Sequence, residues 1–162
     1  MTTPTYTLID SVTLGSSASS VTFSSISATG KGDLVLVTDT ITVSGAAAYL
    51  TRFNSDTGVN YSTAGFYGSG VAVSNNTDAD YFDLQGFSIA STSRSLVVMN
   101  IQDFWATNKH KSVLTRANRT DSSVYVGAGR WANTNAITTI DVSASSNFAA
   151  GSTFHLYQIV SE

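Results

Sequence analysis

The chain has 162 residues, with eight Lys and Arg against eleven Asp and Glu, a formal charge of −3 and a charged fraction of only 12%. That length fits one domain able to bury roughly two-thirds of its unfolded surface, and the charge balance excludes a global field that would carry the protein onto nucleic acid or anionic lipid. With no cysteine and one proline, disulfides, thiolate nucleophiles and Cys-bound zinc are excluded together, and stability rests on packing.

The start, Met1-Thr-Thr-Pro-Thr, lacks the basic region and apolar core of a secretory leader, and no stretch approaches the roughly 18 apolar residues of a membrane span. Synthesis in the cytoplasm is expected, with no membrane partner. Residues 1–7 are expected to form a flexible arm and 8–162 a single domain.

Residues 6–14 alternate as Tyr6, Leu8, Val12 and Leu14 with a break near Ile9 and Asp10, which predicts a kinked strand before the Gly/Ser/Ala turn that follows. Val21, Phe23 and Ile26 come next. Residues 34–43 then read as a long central strand, apolar on both faces at first. In 49–53, Tyr49, Thr51 and Phe53 share one face and Leu50 and Arg52 the other. The glycine- and aromatic-rich stretch 60–76 has no clear period. Strands are expected again over 81–89, over 96–104 as a buried run, and over 109–117, 123–131, 137–142 and 153–159. No segment carries the i, i+3, i+4, i+7 spacing of an amphipathic helix with caps, and neither a heptad nor an internal repeat is present. The pattern predicts an all-β fold, a two-sheet antiparallel sandwich of jelly-roll or lectin-like type.

Candidate sites are sparse. His110, between Lys109 and Lys111, and His155, in a Phe-His-Leu-Tyr strand, sit in no nucleophile motif, and there is no Gly-x-Ser-x-Gly elbow. A glycosidase needs two flanking carboxylates. Glutamate occurs only at Glu162, which leaves Asp78, Asp80, Asp83 and Asp103 for such a role, and most aspartates lie in or beside turns. Asp78, Asp80 and Asp83 with Asn75 and Asn76 offer oxygen ligands for calcium but lack the glycine and distal glutamate of an EF-hand. No catalytic residue, metal or cofactor is assigned. Tyr61, Phe66, Tyr67, Trp105 and Trp131 are candidates for stacking on sugars, with Tyr61, Phe66 and Tyr67 the foremost set for a glycan contact. The sequons at Asn60, Asn75 and Asn118 are expected by chance in so Ser/Thr-rich a chain. Lys109, Lys111, Arg116, Arg119 and Arg130 gather in the C-terminal half and would form a basic strip on adjacent strands. With no nucleic-acid motif beside it, that strip suits a contact with an acidic protein surface.

Four segments carry a resemblance: 49–62 (YLTRFNSDTGVNYS), 108–114 (NKHKSVL), 136–142 (AITTIDV) and the closing 147–159 (NFAAGSTFHLYQI). Together they resemble the short jelly-roll structural proteins of tailed-bacteriophage virions, the capsid decoration (cement) proteins and tail-fibre-like proteins. The most specific part is the closing Phe-Ala-Ala-Gly-Ser-Thr-Phe-x-Leu-Tyr-x-Ile, where His155 and Gln158 fill the variable places. The resemblance implies a non-enzymatic virion component, working as a homo-oligomer (dimer or trimer) on the outer capsid surface and bound to the major capsid protein. A short chain with its own Met1 and no shaft favours cement over a fibre head that recognises host glycan. The expected contact residues are Thr2, Thr3, Pro4 and Thr5 of the arm and the five cations of the basic strip.

Overall fold

The computed structural model describes residues 5–27, 31–68, 72–84, 87–121 and 123–160. Twelve strands run in chain order: β1 (Tyr6–Thr13), β2 (Ala18–Phe23), β3 (Gly32–Thr40), β4 (Tyr49–Phe53), β5 (Tyr61–Gly68), β6 (Ala72–Ala79), β7 (Phe82–Asp83), β8 (Ser95–Gln102), β9 (Lys111–Arg119), β10 (Val124–Trp131), β11 (Ile140–Phe148) and β12 (Thr153–Val160). They form an antiparallel two-sheet sandwich, as expected. One sheet has eight strands in the order β1-β12-β3-β8-β9-β10-β5-β6, the other four in the order β2-β11-β4-β7. The described residues contain no helix.

Alternation explains the layering. On β4, Tyr49, Thr51 and Phe53 are buried and Leu50 and Arg52 half-buried, the split that the sequence predicts. On the large sheet Leu34, Leu36, Val97, Met99, Ile101, Val113, Phe154 and Leu156 point inward. They meet Val21, Phe23, Tyr49, Phe53, Ile140, Val142 and Phe148 of the small sheet in one core. β3 lies inside the large sheet, and its Leu34, Val35 and Leu36 are all buried, which accounts for its apolar character on both faces.

Several boundaries depart from expectation. The stretch without clear period is the hairpin of β5 and β6. The strand expected over 81–89 shrinks to Phe82–Asp83, followed by a single bridge from Ala47 to Ile89. The one expected over 137–142 instead runs from Ile140 to Phe148. Tyr6 and Thr7, assigned to the arm, are paired with Ile159 and Gln158, so the sheet begins two residues before the expected boundary. The kink falls where the sequence breaks: the register of β1 shifts between Leu8 and Asp10, and the Asp10 carboxylate accepts a hydrogen bond from the Ser11 amide.

The glycines of the β5–β10 pair have a packing reason. Gly65 and Gly127 face each other across the ladder, and the Tyr125 ring lies over both. A Cβ on Gly65 would stand 2.5 Å from Tyr125 Cζ, one on Gly127 2.6 Å from the same atom, and one on Gly129 2.6 Å from Cε1 of Phe82. The Tyr125 and Phe82 rings fill the space that three missing side chains leave. Gly127→Ala is therefore expected to overpack the core and cost about 1–3 kcal/mol, a fall in melting temperature of about 2–4 °C per kcal/mol for a chain of this size. Gly15→Ala, with nothing within 4 Å of the new methyl, is the control. Equal melting temperatures for the two variants would refute the packing role.

Candidate docking surface

The large sheet packs one face against the small sheet, and its other face meets solvent over most of its extent, with Val35 and Val98 buried within it. Its residues follow from register. One row runs Phe66, Val126, Arg116, Val98, Val37, His155 and Ser11 across β5, β10, β9, β8, β3, β12 and β1. The row on one side contains Val124, Asn118, Leu96 and Asp39, and the row on the other Ala64, Ala128, Leu114, Asn100 and Val35. Apolar side chains dominate: Phe66 is 64% exposed, Val124 60%, Leu114 54%, Val126 48% and Leu96 41%. Between them Leu96, Val98, Arg116 and Val124 line a hollow of about 290 Å³.

The basic strip expected from the sequence is divided by the fold. Lys111 is a correction, because it is wholly buried and not a surface cation. It opens β9 on the inward parity shared with Val113, Thr115 and Ala117. Its ammonium donates to the carbonyls of Ala106 (2.6 Å), Lys109 (3.2 Å) and Thr134 (3.3 Å) and lies 6.0 Å from the Trp131 ring centre. Burial, then repulsion from Lys109, pulls its pKa below that of a free lysine. Lys111 thus tethers two loops. Lys111→Met is expected to cost about 2–3 kcal/mol through the carbonyls left without their charged donor, whereas the exposed Lys109→Ala should fall within about 1 kcal/mol of wild type. Matching urea midpoints for the two variants would count against the tether.

Lys109 is paired with Asp103 at 2.6 Å and Arg119 with Asp121 at 2.6 Å. Arg116 and Arg130 remain, both exposed on the outer face, and among the described residues neither has an ion pair or a side-chain hydrogen bond. Four positions apart in register on neighbouring strands, they stand about 14 Å from each other.

The three foremost aromatic residues do not assemble. Tyr61 is wholly buried, with its hydroxyl accepting from the Phe53 amide at 3.0 Å, which corrects its expected exposure. Tyr67 packs half-buried against the core, leaving Phe66 exposed on the outer face. Trp131 is wholly buried and Trp105 half-buried against the core.

Other polar groups serve the fold. Asp80 pairs with Arg52 and Asp103 with Lys109. The Asp83 carboxyl has a pKa raised by burial. Among the described residues no group of three or more His, Asp or Glu side chains gathers. His155 Nδ1 lies 2.9 Å from Ser11 Oγ across the β1–β12 pair, but no carboxylate among the described residues orients the ring. Asp56 is the most tied carboxylate: its Oδ2 accepts from Trp131 Nε1 (2.8 Å) and Asn60 Nδ2 (2.9 Å), and its Oδ1 from the Gly58 amide (2.8 Å). Partial burial works to raise its pKa, but the bonds from Trp131, Gly58, Asn60 and Asn133 outweigh that and hold it below the usual value. Thr5 is exposed just ahead of β1. Thr2, Thr3 and Pro4 lie outside the described residues.

No protein-family model matches the chain, and neither the curated proteins nor the solved structures include a match.

Proposed function

We propose that the protein is a non-enzymatic structural component of a tailed-bacteriophage virion, a capsid decoration protein that sits on the outer shell and strengthens contacts between major capsid subunits. The observation that carries this reading beyond the resemblance is the outer face of the large sheet. It is a broad surface on a packed sandwich, apolar where solvent would favour polar groups, and patches of this kind mark protein contacts. A cement protein acts by number: many copies, each with a modest interface, add up to a stiffer shell. Such a role needs shape and rigidity, which an in-register sheet supplies, and no reactive group. Homo-oligomers, dimers or trimers, belong to the same reading because they match capsid symmetry axes.

The second reading within the class is a fibre head that binds host glycan, and the exposed Phe66 ring favours it. Copy number decides between them. Quantitative mass spectrometry of purified particles of the encoding phage should find this chain in hundreds of copies relative to the major capsid protein. A few copies up to a few tens would assign it to the tail, and none would remove it from the virion.

A further inference from the structure

The outer face combines a property that asks for a partner with a property that restricts what the partner can be. We propose that the outer face of β8, β9, β10 and β5 docks a protein surface that presents an apolar side chain beside a carboxylate. The apolar group seats in the hollow among Leu96, Val98 and Val124, and the carboxylate pairs with Arg116. The proposal rests on the virion reading only in naming the capsid shell as the bearer of that surface.

Charge carries the argument. The outward positions of these four strands hold Ser62, Ala64, Phe66 and Gly68; Val124, Val126, Ala128 and Arg130; Ser112, Leu114, Arg116 and Asn118; and Leu96, Val98, Asn100 and Gln102. None is acidic, although acids outnumber bases in the chain as a whole. Of the two outward acids on the next strand, Asp39 is already paired with Arg94 at 3.1 Å, and Asp33 at the strand's start accepts from the Asp103 amide at 2.8 Å. Among the described residues Arg116 thus stands amid aliphatic side chains with no counter-charge. A purely apolar partner would strip its water and leave a guanidinium unpaired, a strongly unfavourable outcome. A carboxylate from the partner turns the same desolvation into a bidentate, charge-assisted contact. Arginine ringed by apolar groups is also the composition of interface hot spots.

The four strands at about 4.8 Å spacing, each contributing about seven residues, give a face of roughly 19 by 24 Å, about 460 Å². That is smaller than the ~800 Å² per partner of a standard interface and matches the modest contact of one copy acting among many. A second copy fits less well, because two such faces brought together oppose arginines and supply no carboxylate.

The test uses empty shells of the encoding phage assembled without this protein, with binding measured by co-sedimentation. Leu114→Ser and Phe66→Ser should each weaken binding about tenfold and Arg116→Glu about a hundredfold. Arg116→Lys should retain most of the affinity, and Ser20→Arg on the opposite sheet all of it. Each variant is taken forward only if its melting curve overlays wild type. Wild type that binds shells while the outer-face variants bind equally well overturns this inference alone. Wild type that leaves the shells bare overturns the virion reading and the inference with it. Wild type that self-associates in sedimentation velocity, with Arg116→Glu monomeric, assigns the face to a second copy and also overturns the proposal.

Discussion

Replacing Trp131 with alanine is expected to remove about 4 kcal/mol of stability, the largest loss of any single substitution considered. The side chain is wholly buried. Its ring stacks on Tyr61 (centroids 6.4 Å apart, planes 21°), meets Phe53 edge-on at 5.6 Å and lies beneath the Lys111 ammonium. Deleting a buried tryptophan costs about 3–5 kcal/mol in transfer and cavity terms. Here it also deprives the Asp56 carboxylate of its indole donor, and a hydrogen bond to a charged group is worth about 1.5–3 kcal/mol. The two terms overlap and do not simply add. Trp131→Phe separates them, since it keeps most of the ring and loses the donor, and should cost about half as much. The acid limb adds a second readout. The Asp56 carboxyl in the fold lies below its free value of 3.8. Its stabilisation is therefore complete above that pH and lost as pH falls through the folded value. In Trp131→Phe the folded value rises, so the acid contribution shrinks. Urea titrations at pH 7 and through pH 5 to 3 check both statements. A Trp131→Ala midpoint within about 1 kcal/mol of wild type would refute the hub role.

On the alkaline side, stability is expected to fall by about 4 kcal/mol per pH unit above pH 10. Three tyrosines cause it. Tyr49, Tyr61 and Tyr125 are all buried, and burial raises each phenol above its free value of 10.0, Tyr125 to about 12 and the other two further. A group whose folded pKa is raised keeps its proton in the native state while the unfolded chain loses it. Each such tyrosine withdraws about 1.4 kcal/mol per pH unit once pH exceeds 10. Lys111 acts in the opposite direction: with its folded pKa below 10.5, the native state sheds a proton first, and stability gains until that pH. The phenols dominate by number and beyond pH 10.5 act unopposed. Against a total of about 5–15 kcal/mol, the protein should unfold near pH 12. Tyr125→Phe removes one-third of the slope. It also removes a buried hydroxyl with no hydrogen-bond partner, so at neutral pH it should stabilise by about 1 kcal/mol. Urea midpoints unchanged between pH 9 and 11.5 would contradict the account.

The fold class was legible because period-two alternation with Ser, Gly and Asn turns leaves few alternatives to a sandwich. Which face of each strand points inward was harder to read, and the reason is physical. On β9 the inward set is Lys111, Val113, Thr115 and Ala117, and the outward set Ser112, Leu114, Arg116 and Asn118. Each set mixes apolar and polar residues, so polarity does not separate them. The same ambiguity makes residues 96–104 read as a near-continuous buried strand, although Leu96 is 41% exposed. A sheet whose solvent face is itself apolar hides its own inside. Lys111 reads as a surface cation because a cation is taken as exposed by default, and nothing in the alternation shows that the loop just before its strand turns the Ala106 and Lys109 carbonyls back onto it, with Thr134 adding a third from the loop after β10. Tyr61 reads as a ring available to glycan because glycines interrupt the period of β5 and conceal its inward parity. The compensation for Gly65 is Tyr125, sixty residues away in sequence, and no local pattern reveals it. Of the expected basic strip, Arg116 and Arg130 are the members left without a partner among the described residues, a distinction that required the positions of Asp103 and Asp121.

The pairing of β1 with β12 sets the order of assembly during synthesis. Tyr6 lies opposite Ile159, so β1 finds its neighbour only when β12, about 150 residues later, has emerged from the ribosome. At about 5–20 residues per second that interval is roughly 8 to 30 s. Throughout it, the segment bearing Tyr6, Leu8 and Ile9 has no ladder to join. Contacts so distant in sequence also slow the search for the native arrangement. A nascent chain of this kind closes late and all at once, and a stalled or truncated product would lack the strand that accepts its own beginning.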